Sequence, residues 1–169
     1  MTRHLLTLIL LLASSLSYGR ELTKCDIPYA PHRSDSYSDE RCRLDINYDD
    51  TAQSRPVVVW FHGGGLTGGS KEIPAELKKS GYVVVAPNYR LLPNVSISEC
   101  INDAAAAVAW TFSNIARYGG DSRKIFVAGH SAGGYLTSMI GLDRKWLAKY
   151  GVEADSIAAL VPYSGQVIT

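Results

Sequence analysis

The sequence contains no stretch of the ~20 consecutive apolar residues that cross a bilayer as a helix, which excludes an integral membrane protein of that kind. It has no excess of one charge either: 17 basic side chains stand against 16 acidic ones, a formal net charge of +1. So even a balance offers no positive field for nucleic acid phosphates and no acidic tail. Cysteine is scarce. Cys25, Cys42 and Cys100 form no C-x-x-C pair and no zinc-ligand spacing, so neither a zinc site nor a thioredoxin-like redox motif is indicated. In an oxidising compartment two of the three can form one disulfide, and spacing does not choose the pair. Internal repeats and low-complexity tracts are missing as well. What is left, 46% hydrophobic and 20% charged residues, is the composition of one ordinary globular domain.

The first nineteen residues read as a cleaved secretory signal. Arg3 and His4 precede an apolar stretch from Leu5 to Ala13, and the small residues from Ser14 to Gly19 suit signal peptidase. Cleavage after Gly19 leaves 169 less 19, or 150 residues, for a secreted or periplasmic product. Residues 20–40 follow as a polar, irregular lead-in with Pro28, Pro31 and a Ser/Asp-rich run. The domain proper is expected over 41–169.

Within it, Leu44 to Tyr48 alternates like an edge strand, and Val57 to Phe61 and Tyr82 to Ala86 are continuous β-branched or aromatic runs of the kind that parallel strands covered on both faces require. Lys124 to Gly129 and Ile157 to Val161 predict two more. Between them lie helical patterns: a short one near Pro74 to Ser80, one starting after Ser131, and a long one opening at Ser96 with a capping-box Glu99. The long pattern carries apolar residues at Ile97, Ile101, Ala104, Val108, Phe112 and Ile115 and stops at Gly119-Gly120. Strand and helix alternate, which predicts an open, mostly parallel α/β sheet with helices on both faces.

Ligands gather at the C-terminal ends of such strands, and two loops there are unusual. Gly129-His130-Ser131-Ala132-Gly133-Gly134 follows the strand ending at Ala128 and matches G-x-S-x-G. In that strand-turn-helix setting the glycines permit a tight turn that lifts the serine hydroxyl above the sheet. His62-Gly63-Gly64-Gly65 follows the strand ending at Phe61. A serine nucleophile needs N–H donors for the oxyanion it generates, and glycines let backbone N–H groups approach that oxygen closely. Gly64, Gly65 and Ala132 are the candidate donors; His62, Gly63, Gly129 and Gly133 support the two turns.

Two other readings of the glycine loop fail. Gly63-x-Gly65-x-x-Gly68 has the spacing of a dinucleotide fingerprint, but Pro87-Asn88-Tyr89 stands where an acidic ribose ligand is needed. Gly64 to Lys71 resembles a P-loop with Ser70 and Lys71 in reversed order.

With these motifs the sequence resembles the α/β-hydrolase superfamily, in its carboxylesterase and hormone-sensitive-lipase-like branch. Asn88-Tyr89-Arg90-Leu91, the helix Asp103 to Trp110 and Tyr118-Gly119-Gly120-Asp121 are similar to segments of secreted bacterial esterases, feruloyl and acetyl esterase-like members included. The resemblance spans about residues 41 to 169. It implies an α/β-hydrolase fold and a carboxylic ester hydrolase with Ser131 as nucleophile and Gly64, Gly65 and Ala132 as oxyanion donors. No metal or organic cofactor is implied, and the partner is a small-molecule ester.

The superfamily orders its triad as serine, acid, histidine, yet the four histidines here, His4, His32, His62 and His130, all precede Ser131. His62 is expected to support the glycine loop through hydrogen bonding, and His130 to point away from its neighbour's hydroxyl. Asp143 and Asp155 are expected at the solvated surface. The chain therefore reads as the N-terminal part of the domain, ending after the strand that follows the nucleophile helix, with the acid and base encoded further on and an exposed, aggregation-prone sheet edge. The alternatives are a non-catalytic binding remnant of the fold and an arylformamidase-like amide hydrolase. Arg90 and Asp103 are candidates for an ion pair, or else two solvated charges, and Asn94-Val95-Ser96 is a glycosylation acceptor in a eukaryotic secretory pathway.

Overall fold

A computed structural model describes residues 19–30 and 35–165. The expected signal peptide lies outside them apart from Gly19. Six strands, β1 (Glu21–Pro28), β2 (Arg43–Asp49), β3 (Arg55–Phe61), β4 (Val83–Pro87), β5 (Gly120–His130) and β6 (Ala159–Tyr163), form one sheet in the order β1-β2-β4-β3-β5-β6. β4, β3, β5 and β6 run parallel, and β2 and β1 are antiparallel to their neighbours. Strand order reverses around β3, so the loops leaving β3 and β5 open side by side, where ligands collect in open α/β sheets.

Two expectations need correction. The lead-in over 20–40 is not irregular: it contains β1, paired with β2 from Glu21↔Asp49 to Pro28↔Arg43 across a bulge between Lys24 and Ile27, and the helix α1 (Ser36–Arg41). Most β1 side chains are exposed on both faces, so the strand exists by backbone pairing and leaves no apolar alternation to read. As a result β2, expected at the edge, is an interior strand.

The helices α2 (Ala75–Lys78), α3 (Ile97–Asn114), α4 (Ala132–Leu142) and α5 (Lys145–Ala148) fill the connections. Ser96 starts α3 with a complete capping box: its hydroxyl accepts from the Glu99 N–H at 3.3 Å while the Glu99 carboxylate accepts from the Ser96 N–H at 2.9 Å. A 3-10 turn, Ile115–Tyr118, and Gly119 at φ 74° end it. Ala104 to Ala107 are all buried, and these small side chains let α3 settle close against β3, β4, β5 and α4. α2 is shorter than expected because it buries no residue of its own.

Alternation along the strands divides the sheet. Val57, Val59, Phe61, Val83, Val85, Ile125 and Val127 join the buried cluster that also contains α3, α4 and α5 residues. Val58, Trp60, Phe126, Ala128 and Val161 line the other face with Leu77 of α2 and Tyr82, forming an apolar groove of about 260 Å³. The tyrosine and valine of β6, Tyr163 and Val161, are largely exposed. The three cysteines form no disulfide: Cys25 is exposed, Cys42 and Cys100 are buried, and burial pushes the Cys100 thiol up to about 11.

Arg90 and Asp103 do pair. The guanidinium donates through Nε to Asp103 Oδ2 at 2.8 Å and through Nη2 to Oδ1 at 3.0 Å, and the Arg90 N–H adds a third bond at 3.1 Å. This buried fork ties the segment leaving β4 to the middle of α3. The same hydrogen bonds raise the Arg90 pKa further.

Candidate active site

Ser131 stands between β5 and α4 at φ 55°, ψ −115°, a backbone conformation that side-chain-bearing residues avoid. Such a conformation costs roughly 1–3 kcal/mol and persists only where its surroundings enforce it. Here the glycines enforce it. A Cβ on Gly133 would run into the Phe61 carbonyl, and one on Gly129 would lie 2.5 Å from the Gly133 carbonyl carbon and 2.8 Å from the Phe61 oxygen. Strand, helix and the end of β3 therefore cross at a distance no side chain allows. The Ser131 N–H donates to the Tyr163 carbonyl at 2.9 Å, which fixes the turn to β6. Behind it Gly134 and Gly165 meet back to back, with a Cβ on Gly134 only 2.8 Å from the Gly165 Cα. Ser131 itself is half-buried, and its hydroxyl bonds to no described residue.

The glycine loop lies against this turn. A Cβ on Gly63 would be 3.4 Å from the Ser131 Cβ and 3.1 Å from the His130 carbonyl. Gly64 and Gly65 follow at φ 112° and 63°, both exposed, so the chain turns there in a way glycine permits. The Gly64 carbonyl accepts from the N–H groups of Thr67 and Gly68 at 3.1 and 3.0 Å. Among the described residues, the N–H groups of Gly64, Gly65 and Ala132 find no acceptor. Ala132 is the first residue of an eleven-residue helix, whose N-terminal donors and dipole favour negative charge. Of the glycine loop it is Gly63 that packs on the serine turn, and the N–H groups of Gly64, Gly65 and Ala132 are not spent on other described residues.

Neither nearby histidine touches the Ser131 hydroxyl. His62 is buried, with Nδ1 donating to the Gly63 carbonyl at 2.7 Å, and its ring lies flat on Tyr89. Burial pushes its pKa down to about 4, against the Gly63 hydrogen bond and helped by the Arg41 charge. The neutral imidazole is a structural part of the loop, and its Nε2 has no hydrogen-bond partner among the described residues. His130 is exposed with its ring 5.5 Å from that of Tyr163. Asp143 pairs with Lys145, and Asp155 pairs with Arg144 at 2.7 Å on the surface. Both aspartates sit in ion pairs away from the serine turn.

Sequence reasoning missed the residues that hold the loop from outside. Tyr89 donates its hydroxyl to the His62 carbonyl at 2.9 Å, and burial raises its pKa. Arg41 bridges the carbonyls of Tyr89 and Gly69, each at 3.1 Å. Lys71 donates to Asp45 at 2.6 Å and meets Asp26 at 2.9 Å, while its backbone N–H donates to Asn88 Oδ1. Burial alone would lower the Lys71 pKa, but the two carboxylates outweigh it and raise it. Of these residues the sequence marks only Tyr89, within the run Asn88 to Leu91, and Lys71, within a P-loop-like spacing that fails; neither reading gives the bonds made here. Among the described residues no group of three or more His, Cys, Asp or Glu side chains is arranged to hold a metal, and no helix is long and apolar enough to cross a membrane.

A mixed, mostly parallel sheet with a strained serine turn after β5 and a glycine loop after β3 defines an α/β-hydrolase of the carboxylesterase and hormone-sensitive-lipase-like class. The comparison with protein families makes this specific: the chain belongs to the BD-FAE family, whose model matches residues 44–162. It is 32% identical over 148 residues to the probable carboxylic ester hydrolase LipM of Mycobacterium tuberculosis, covering 83% of this chain and 34% of LipM. Esterase LipC of the same organism is 33% identical over 150 residues, covering 82% and 37%. Esterase B of Lactobacillus rhamnosis, solved with a tributyrin phosphonate inhibitor, superposes with a TM-score of 0.65 at 25% identity over 86% of this chain and 46% of that one. The chain spans about a third of the length of the curated relatives it matches.

Proposed function

We propose that this chain supplies the nucleophile and oxyanion hole of a secreted serine esterase that acts on small-molecule carboxylic esters. Ser131 Oγ attacks the ester carbonyl carbon and gives its proton to an imidazole. The carbonyl oxygen, now negative, accepts from the N–H groups of Gly64, Gly65 and Ala132. The C–O bond to the alcohol then breaks, the alcohol leaves with the proton, and an acyl-Ser131 ester remains for water to hydrolyse by the same steps. Among the described residues none is placed to serve as the imidazole or its acid partner: His62 is held neutral in the glycine loop, the exposed His130 ring packs by Tyr163 without a bond to Ser131, and Asp143 and Asp155 are engaged with Lys145 and Arg144. Export is assigned to residues 1–19, with Arg20 as the first residue of the mature chain.

One observation carries this reading: a strained, half-buried serine at the start of a helix, packed against Gly63 of a loop whose next two N–H groups bond to no described residue. The names of LipM, LipC and esterase B agree with it. The test is hydrolysis of p-nitrophenyl butyrate by the full-length protein, with the mass of a phosphonate adduct located by peptide. Hydrolysis lost in Ser131→Ala, with the adduct on Ser131, is the expected result. Undiminished hydrolysis by Ser131→Ala would overturn the assignment. Ser131-dependent cleavage of a formanilide but not of esters would move the substrate to the arylformamide class, and neither reaction nor adduct would favour a binding remnant.

A further inference from the structure

The glycine loop has no regular secondary structure between the end of β3 and α2, so its shape depends on individual hydrogen bonds. Thr67 and Gly68 close its inner turn on the Gly64 carbonyl. The outer bonds come from elsewhere in the chain, and one of them joins two loops at once. Arg41, the last residue of α1, donates through Nε to the Tyr89 carbonyl and through Nη2 to the Gly69 carbonyl.

Gly69 is a critical place to be held. It sits at φ 93°, and a Cβ there would lie 2.5 Å from both the Gly63 carbonyl oxygen and His62 Nδ1. Gly69 is therefore stacked directly on the start of the loop, and Gly63 in turn is packed on the Ser131 Cβ. Movement of Gly69 transmits to Gly63 through backbone contact, with no flexible side chain between. Tyr89, at the other end of the bridge, stacks on His62 and bonds its carbonyl. A planar guanidinium meets two carbonyls at a fixed spacing, whereas an ammonium presents a single point of donation.

We propose that Arg41 is a positioning residue for the oxyanion hole, its guanidinium fixing the turn that carries the Gly64 and Gly65 donors by bridging the Tyr89 and Gly69 carbonyls. The inference rests on the reading of Ser131, Gly64 and Gly65 given above. Oxyanion donors accelerate a reaction because they are already aimed before charge develops. If the bridge is removed, water takes over the exposed Gly69 carbonyl, so the loss appears as looseness of the loop and not as unfolding. Misplacement by about 1 Å costs up to ~100-fold in rate. The loss belongs in kcat, since the donors bind the transition state more tightly than the ester.

The test uses the full-length protein and the variants Arg41→Met, Arg41→Lys and Ser131→Ala. It measures kcat and KM for p-nitrophenyl butyrate, the thermal midpoint, and amide hydrogen exchange at residues 63–69 and in α3. For Arg41→Met we expect kcat lowered roughly 10- to 100-fold, with KM within about threefold and exchange within residues 63–69 faster at the bonded amides of Thr67 and Gly68 but unchanged in α3. Arg41→Lys, which keeps one bond, should fall between. A kcat within twofold of wild type overturns the proposal, as does faster exchange through α3 and the loop alike, which would mark a purely structural residue. Should Arg41→Met not fold, Arg41→Lys with wild-type kcat overturns it equally. If Ser131→Ala hydrolyses like wild type, the reading of the serine has failed separately. Exchange at residues 63–69 then decides for Arg41, and unchanged exchange there overturns its role as well.

Discussion

The Tyr89 ring lies on the His62 imidazole with centroids 4.4 Å apart and planes 9° from parallel, and its hydroxyl donates to the His62 carbonyl at 2.9 Å. His62 leaves β3 and Tyr89 leaves β4, so this contact staples two parallel neighbours at the ends from which the glycine loop and the β4–α3 connection depart. It also buries the imidazole and keeps it neutral.

That burial makes a pH dependence. The folded His62 takes a proton only near pH 4, the unfolded one near 6.5. Between those values the unfolded state binds more protons, so stability falls as pH falls, and above pH 6.5 His62 contributes no slope. The full effect is about 3 kcal/mol. Urea unfolding from pH ~7 to ~4.5 should show His62→Gln losing less stability than wild type across this window. The remaining histidines are common to both proteins, so parallel curves would refute the assignment.

Strain at Ser131 predicts an inverse relation between activity and stability. Glycine accepts φ 55°, ψ −115° without the penalty that alanine shares with serine. Ser131→Gly should therefore unfold at higher denaturant than Ser131→Ala, by about 1 kcal/mol or more. Both should lack esterase activity. Equal midpoints for the two variants would mean that the turn is relaxed.

The pair Arg90–Asp103 is a test of burial. Asp103 is fully buried and Arg90 nearly so. Removing Asp103 leaves the Arg90 guanidinium only the longer contacts to Asp35 and Glu99, each 3.8 Å, so Asp103→Asn should cost about 3 kcal/mol, more than an exposed pair such as Arg144–Asp155 would. Changing Arg90 and Asp103 together should cost less than the two single changes summed. Additive losses in denaturant unfolding would dissolve the pair.

Much of this architecture is legible in the sequence because it follows from local physics. Val57 to Phe61 is a buried parallel strand because its side chains are apolar on both faces, and Ser96 with Glu99 starts α3 because both groups of the capping box lie within one turn. The serine and glycine turns are visible because glycine occurs where backbones meet. β1 is not legible, since its pairing uses main-chain groups that every residue has. Arg41 and Lys71 escape for another reason: their bonds reach Tyr89, Gly69 and Asp45 over 48, 28 and 26 residues, and nothing local in a basic side chain says which distant carbonyl or carboxylate it will meet.

The contact of Gly134 with Gly165 has a consequence for substitution. Backbone meets backbone there, so neither position can accept even a methyl group unless the exit of β6 shifts, and the Tyr163 carbonyl that holds Ser131 shifts with it. The two sites, one on the nucleophile helix and one just past β6, are thereby coupled: a substitution at either glycine should be tolerated only together with a rebuilt serine turn.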